Sequence, residues 1–266
     1  MTIGILIFVY LAFAVLCFLA SASDRRALYF LSQAWGGLAL ASHGTWLVMR
    51  GISAKHWPFT NTYETLVLLG FFMIALYLGT IRRHRIWAVG GFAGLIVSSL
   101  LSLTSFLPSD IEPLVPALKS NWLLFHVVSA FMGYSAFGMA AAAAALYLVF
   151  DAVPEKAGRE VFSRERLASL DWATYRLIAF GFPFLTLGIV LGSIWANLSW
   201  GRYWNWDSKE TWAFITWLVY AVCLHMRQKK ELWGRATALV TLIGFGTVMF
   251  TYFGVNFWLS SLHAYG

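Results

Sequence analysis

Long apolar runs alternate with short polar connections along almost the whole chain. Runs long enough to cross about 30 Å of hydrocarbon, roughly twenty helical residues each, fall near residues 2 to 20, 28 to 49, 64 to 81, 87 to 107, 122 to 150, 173 to 195, 211 to 226 and 236 to 257. The pattern predicts an all-α fold, a polytopic integral membrane helical bundle of eight transmembrane helices. No soluble domain, long linker or sequence repeat interrupts it, so residues 1 to 266 are expected to form a single membrane domain.

An even number of spans places both termini on one side, and the connections alternate between two faces. One face collects Arg25, Arg26, Arg82, Arg83, Arg85, Lys156, Arg159, Arg164, Arg166, Arg176, Arg227, Lys229, Lys230 and Arg235. The other holds only Arg50, Lys55, Lys119, Arg202 and Lys209. The richer face is expected to be cytoplasmic, which puts both termini and the connection before helix seven on the outer, periplasmic side. The first run resembles a secretion signal, since small residues follow its apolar core. Its positive charges come after it rather than before it, which favours an uncleaved helix starting outside.

Composition agrees with this picture. Hydrophobic residues make up 60% of the 266 positions and charged residues 12%, with a mean hydropathy of +0.70, too apolar for a water-soluble domain. The net charge of +7 would suggest nucleic acid in a soluble protein. Here the basic residues sit in loops and report topology, so the expected surroundings are a lipid bilayer and no nucleic acid. Cys17 and Cys223 lie inside apolar runs without CxxC spacing and read as packing residues.

Two features of the predicted spans have local explanations. Helix five carries Gly133, Gly138 and the alanines from Ala140 to Ala145; such small residues allow either close helix packing or a groove for a cofactor. Pro183 falls inside helix six, where it should kink the helix and free a carbonyl for neighbouring groups to satisfy.

The outer connection is the chemical anomaly. WGRYWNWDSKETW, residues 200 to 212, crowds four tryptophans, a tyrosine and several charges into thirteen positions. Widened to Trp195 through Trp217 it holds six of the chain's fourteen tryptophans. One reading is an aromatic belt at headgroup level. The other is one wall of a site for a flat apolar cofactor, because His126 in helix five and His263 after helix eight share the depth of that connection. Two neutral imidazoles can take both axial positions of a haem iron. Asp207 followed by Glu210 has the form of a capping box opening helix seven, so both acids have a structural reading. Arg202 and Lys209 would pair with haem propionates or with those acids. His225 lies at the inner end of helix seven, His43 toward the outer end of helix two, and His56 and His84 in loops where solvation is the simplest account.

WGRYWNWDSKETWA resembles the tryptophan-rich (WWD) motif of the haem-handling membrane proteins, and its KETWA ending resembles the CcsA (ResC) branch used in System II cytochrome c maturation. WPFTNTYETL after helix two, LLFHVVSAFMGYSAF in helix five and GVNFWLSSLHAYG at the end are similar to that branch as well. Ser208 departs from it, since proline usually stands there; serine is acceptable at the first position of a helix. The resemblance implies that haem b (iron protoporphyrin IX) is the cofactor and that His126 and His263 are its two external axial ligands. Trp195, Trp200, Trp204, Trp206, Asp207, Arg202 and Lys209 would line that site. His225 would hold an earlier, inner haem together with a histidine from a CcsB (ResB) membrane partner, and His43 has no clear role.

The implied function is that of the haem-handling subunit of a cytochrome c synthetase, a holocytochrome c synthase that attaches haem to the CxxCH thiols of apocytochrome c. Thiol-reducing thioredoxin-like proteins would support it indirectly, and a bacterial plasma membrane is the expected location. Two alternatives are a CcmC-type haem delivery protein, which would have fewer helices, and a b-type cytochrome electron-transfer subunit. The latter usually places paired histidines on facing helices, and no helix here carries two.

Overall fold

Each apolar run becomes a helix because hydrocarbon offers no partner for backbone N–H and C=O groups, which must then be satisfied within the segment. The computed structural model describes residues 2–23, 25–81, 86–152 and 164–259. Among these there is no strand, and eight helices of fifteen residues or more carry the fold: α1 (Ile3–Ser23), α2 (Arg26–Ala54), α3 (Thr62–Leu76), α4 (Trp87–Leu103), α5 (Asn121–Asp151), α6 (Arg164–Trp200), α7 (Ser208–Met226) and α8 (Arg235–Met249). A one-turn helix, α9 (Val255–Trp258), follows. Five-residue π-helical segments extend α3 (Tyr77–Ile81) and α8 (Phe250–Gly254).

The chain is a multi-pass membrane protein. Six segments among the described residues have the length and apolar composition to cross a membrane: Ile3–Ser23, Thr62–Thr80, Trp87–Phe106, Asn121–Asp151, Arg164–Trp200 and Arg235–Gly254. Of the eight transmembrane helices expected, all eight form as helices and six qualify as spans by length and composition. α2 and α7 have 29 and 19 residues. Polar positions such as Ser32, Gln33, His43 and Arg50 in one, and Lys209, Glu210 and His225 in the other, lower their hydropathy.

α6 departs most from its expected bounds of 173 to 195, for it runs 37 residues. Nothing in ANLSW stops a helix. The stop is Gly201, at φ +75°, whose N–H bonds the Asn197 carbonyl at 2.8 Å in a left-handed terminating turn. Trp195 and Trp200 therefore stand on α6, Trp212 and Trp217 on α7, and only Trp204 and Trp206 in the connection. α6 also continues through Pro183 without a break.

The described helices fall into two compact units, the first reaching Val115 and the second starting at Pro116. In the first, α1 lies along α4 so closely that a Cβ at Gly94 would come 2.9 Å from the Tyr10 carbonyl oxygen. His43 of α2 is fully buried and shares a 2.9 Å hydrogen bond between Nδ1 and the Tyr10 hydroxyl. The α2 to α3 connection is organised by Glu64, which is 1% exposed. Its Oε1 accepts from Arg50 Nε at 2.8 Å and its Oε2 from the Thr60 N–H and hydroxyl at 3.0 Å, while Asn61 Oδ1 caps α3 by accepting from Glu64 N. This accounts for the polar residues of WPFTNTYETL as local structure. His56 stands here half-buried, its Nδ1 donating to the Trp57 carbonyl at 3.0 Å; His84 lies outside the described residues.

In the second unit, α5 to α8 run antiparallel to their sequence neighbours. α5 and α6 approach through small residues: a Cβ at Gly133 would lie 3.1 Å from Leu185 N, and one at Gly188 3.1 Å from the Ala130 backbone. The small residues of helix five serve packing here, as Ala136, Ala140, Ala143 and Ala144 are fully buried. At one end of the unit, Arg227 bonds both Asp171 oxygens at 2.8 and 2.7 Å, its guanidinium lying over Tyr175 and Trp233. Asp171 also accepts the Gly234 N–H at 3.0 Å.

Candidate functional site around His126

The site lies at the other end of the second unit, where α5 begins, α6 ends and α7 begins. Ser120 caps α5 by accepting from Trp122 N, which places His126 one turn further in, half-buried and facing α6. Its Nδ1 lies 2.7 Å from the Gly188 carbonyl oxygen. A carbonyl only accepts, so Nδ1 carries a proton, and in the neutral imidazole that places the lone pair on Nε2. A backbone carbonyl on the second nitrogen is the usual device for fixing the tautomer of a metal-binding histidine. The imidazole also lies nearly parallel to the Trp195 ring, at 12° and 6.1 Å between centroids.

Trp195 is only 2% exposed, and its Nε1 donates to the Ala117 carbonyl at 2.8 Å. Trp200 packs edge-on against it at 4.9 Å. Gly192 completes the seat: a Cβ there would fall 2.6 Å from His126 Nδ1 and 2.8 Å from Cε1. Ala117, Gly188 and Gly192 were not among the residues expected from the sequence. Their signal is GIVLG, residues 188 to 192, a small-xxx-small pair that lets α6 approach α5.

The connection of residues 201 to 207 is built to present aromatic rings. Trp206 sits at φ 55° and is 67% exposed, a left-handed conformation that costs a bulky residue roughly 1–2 kcal/mol. Glu210 imposes it, its Oε2 accepting from the N–H groups on either side, Asn205 at 2.8 Å and Asp207 at 3.2 Å. Asp207 Oδ1 in turn accepts Glu210 N at 3.0 Å, completing the expected capping box. The two acids thus open α7 and hold Trp206 outward.

The six tryptophans separate into three groups. Trp195 lies against His126, and Trp200 packs on Trp195. Trp204 and Trp206 contact each other and Phe214, which stacks on Trp217, and Trp217 Nε1 donates to the Thr186 hydroxyl at 2.9 Å. Trp212 packs at 4.1 Å on Phe250, which reaches Trp258. Arg202 donates to the Asn205 side chain at 3.1 Å rather than to either acid. Lys209 is half-buried near Asp207.

His225 is exposed in the last turn of α7, at the opposite end of the unit from His126 and two residues before Arg227. His263 lies outside the described residues. Among the described residues no three His, Cys, Asp or Glu side chains converge as a metal cluster. An axial pair needs only imidazoles, and the tautomer imposed on His126 fits that use.

Antiparallel apolar helices, a histidine oriented from behind and an aromatic connection at one end define a polytopic helical membrane protein with a site at a helix terminus. Residues 2–263 match the family described as cytochrome C assembly protein. The chain is 40% identical over 240 residues to the cytochrome c biogenesis protein CcsA of Guillardia theta, covering 82% of this chain and 79% of that one. It is 38% identical over 227 residues to the CcsA protein of Chlamydomonas reinhardtii, covering 83% of this chain but only 64% of the longer relative. With the CcsA protein of Synechococcus sp. (strain JA-2-3B'a(2-13)) it shares 34% over 281 residues, 83% of this chain and 80% of that one. The solved structure of the cytochrome c heme lyase CcmF covers 99% of this chain at a TM-score of 0.62 and 18% identity. This chain spans 48% of that protein, and the similarity concerns the fold alone. The chain belongs to the cytochrome c assembly protein family, as a CcsA-type cytochrome c biogenesis protein.

Proposed function

We propose that this chain is the haem-handling subunit of a cytochrome c synthetase, holding haem b at an outward site for attachment to apocytochrome c. The observation that carries the proposal is the seat of His126: Nδ1 tied to the Gly188 carbonyl and the ring against Trp195. His126 and His263 would hold the haem iron, with Trp200, Trp204 and Trp206 lining the site and Arg202 and Lys209 available to the propionates. When bound, haem supplies the iron and the two vinyl groups to which the thiols of a CxxCH segment add. The chain's own contribution is position and protection. Its cysteines, Cys17 and Cys223, are both buried, so the sulfurs belong to the substrate.

His225, exposed at the opposite end, would hold haem at an inner position together with a histidine of a CcsB-type membrane partner. All eight long helices cross a bacterial plasma membrane, α2 and α7 included, with both termini and residues 201 to 207 on the periplasmic side. The cytochrome c biogenesis proteins to which this chain is 34–40% identical support a role in cytochrome c maturation. The test is complementation of a strain lacking this protein. His126→Ala and Trp206→Ala are expected to lower covalently attached haem in c-type cytochromes at least tenfold. Normal cytochrome c in the uncomplemented strain would contradict the proposal.

A further inference from the structure

The seat of His126 has more parts than a ligand alone requires. Three residues converge on its ring: Gly188 through its carbonyl at 2.7 Å, Gly192 through the absence of a side chain, and Trp195 through its parallel face. Trp195 is itself anchored by its N–H to Ala117 and is 2% exposed, so its face is fixed against the imidazole.

We propose that Gly188, Gly192 and Trp195 are positioning residues that lock His126 in the Nδ1–H tautomer and thereby reserve Nε2 for haem iron. The proposal rests on the ligand role of His126 given above. Gly192 is the sensitive part, because a methyl group at 2.6 Å from Nδ1 must push the ring away from the Gly188 carbonyl. Trp195 sets the ring plane. Donation from Nδ1–H to a carbonyl also raises the basicity of the ligating nitrogen, which favours the ferric state and lowers the reduction potential of a haem held there.

The test uses the full chain, purified without haem and labelled with 15N-histidine, and reads long-range 1H–15N correlations at a pH where imidazoles are neutral. The His126 signals are assigned by their loss in His126→Gln. Wild type is expected to show Nδ1 protonated and Nε2 bare. Gly192→Ala is expected to shift His126 toward the mixture of tautomers of a solvated imidazole. A wild-type His126 protonated at Nε2, or an unchanged Nδ1–H signal in Gly192→Ala, overturns the proposal. Trp195→Phe, which keeps an aromatic face and loses the Ala117 anchor, supplies a second arm. In haem-loaded protein both variants are expected to raise the midpoint potential while the iron stays six-coordinate. An unchanged potential and an unchanged tautomer in Trp195→Phe overturn the proposal even where Gly192→Ala does not accumulate. Failure of the ligand role is separate: it shows as a six-coordinate iron that persists in His126→Gln, whatever the tautomer.

Discussion

Trp206 combines two properties that stability alone does not favour, a left-handed backbone and a ring 67% exposed to the surroundings. Strain of this kind costs about 1–3 kcal/mol and persists where neighbours over-determine it, here through Glu210 and its bonds to the flanking N–H groups. Glycine relieves that strain and adds only about 0.5–1 kcal/mol of unfolded-state entropy. Trp206→Gly is therefore expected to melt no lower than wild type while losing bound haem. Trp195→Ala, which empties a buried ring site, is expected to lose about 3–5 kcal/mol. Thermal unfolding with haem quantified in the same samples checks both. Asp207 and Glu210 were legible as a cap because the capping box has a fixed spacing. The conformation of Trp206 was not, because a left-handed tryptophan has no sequence signature.

At the scale of elements, hydrophobic length located the eight helices well, since each must satisfy its own backbone in hydrocarbon. It misplaced the ends of α6, because a polar stretch without Gly or Pro continues a helix that tertiary contacts support. That error had a chemical consequence: Trp195 and Trp200 belong to a helix that presses on His126, not to the connection. The pair Gly188 and Gly192 was visible as GIVLG but unreadable as a seat until its opposite face was known to be His126. At the far end of α7, Arg227 and Asp171 are mostly buried, with side-chain exposures of 9% and 12%. Removing one partner of such a pair strands the other charge and costs about 3–5 kcal/mol. Asp171→Asn is expected to lose that much in equilibrium unfolding and to expose the turn between α7 and α8 to proteases. His225→Ala, by contrast, should leave stability unchanged while lowering the haem that co-purifies with the partner present, since its ring is exposed.

For the whole molecule, the alternation of basic and neutral connections, six qualifying spans and membership of the cytochrome c assembly protein family point to one architecture. Composition made the membrane legible at once, whereas α2 and α7 read as spans only by pattern, because their polar residues serve local contacts. In α2 these include the hydrogen bond of His43 to Tyr10 and the pairing of Arg50 with Glu64. Reporter fusions at the connections after α2, α4 and α6 should all report the periplasmic side if every helix crosses. The central claim concerns His126, and the most direct measurement is the absorption spectrum of the chain purified with the proposed CcsB-type partner. Wild type should show a six-coordinate low-spin haem, and His126→Ala should lose that signature or most of the external haem. A six-coordinate spectrum unchanged in His126→Ala would contradict the account.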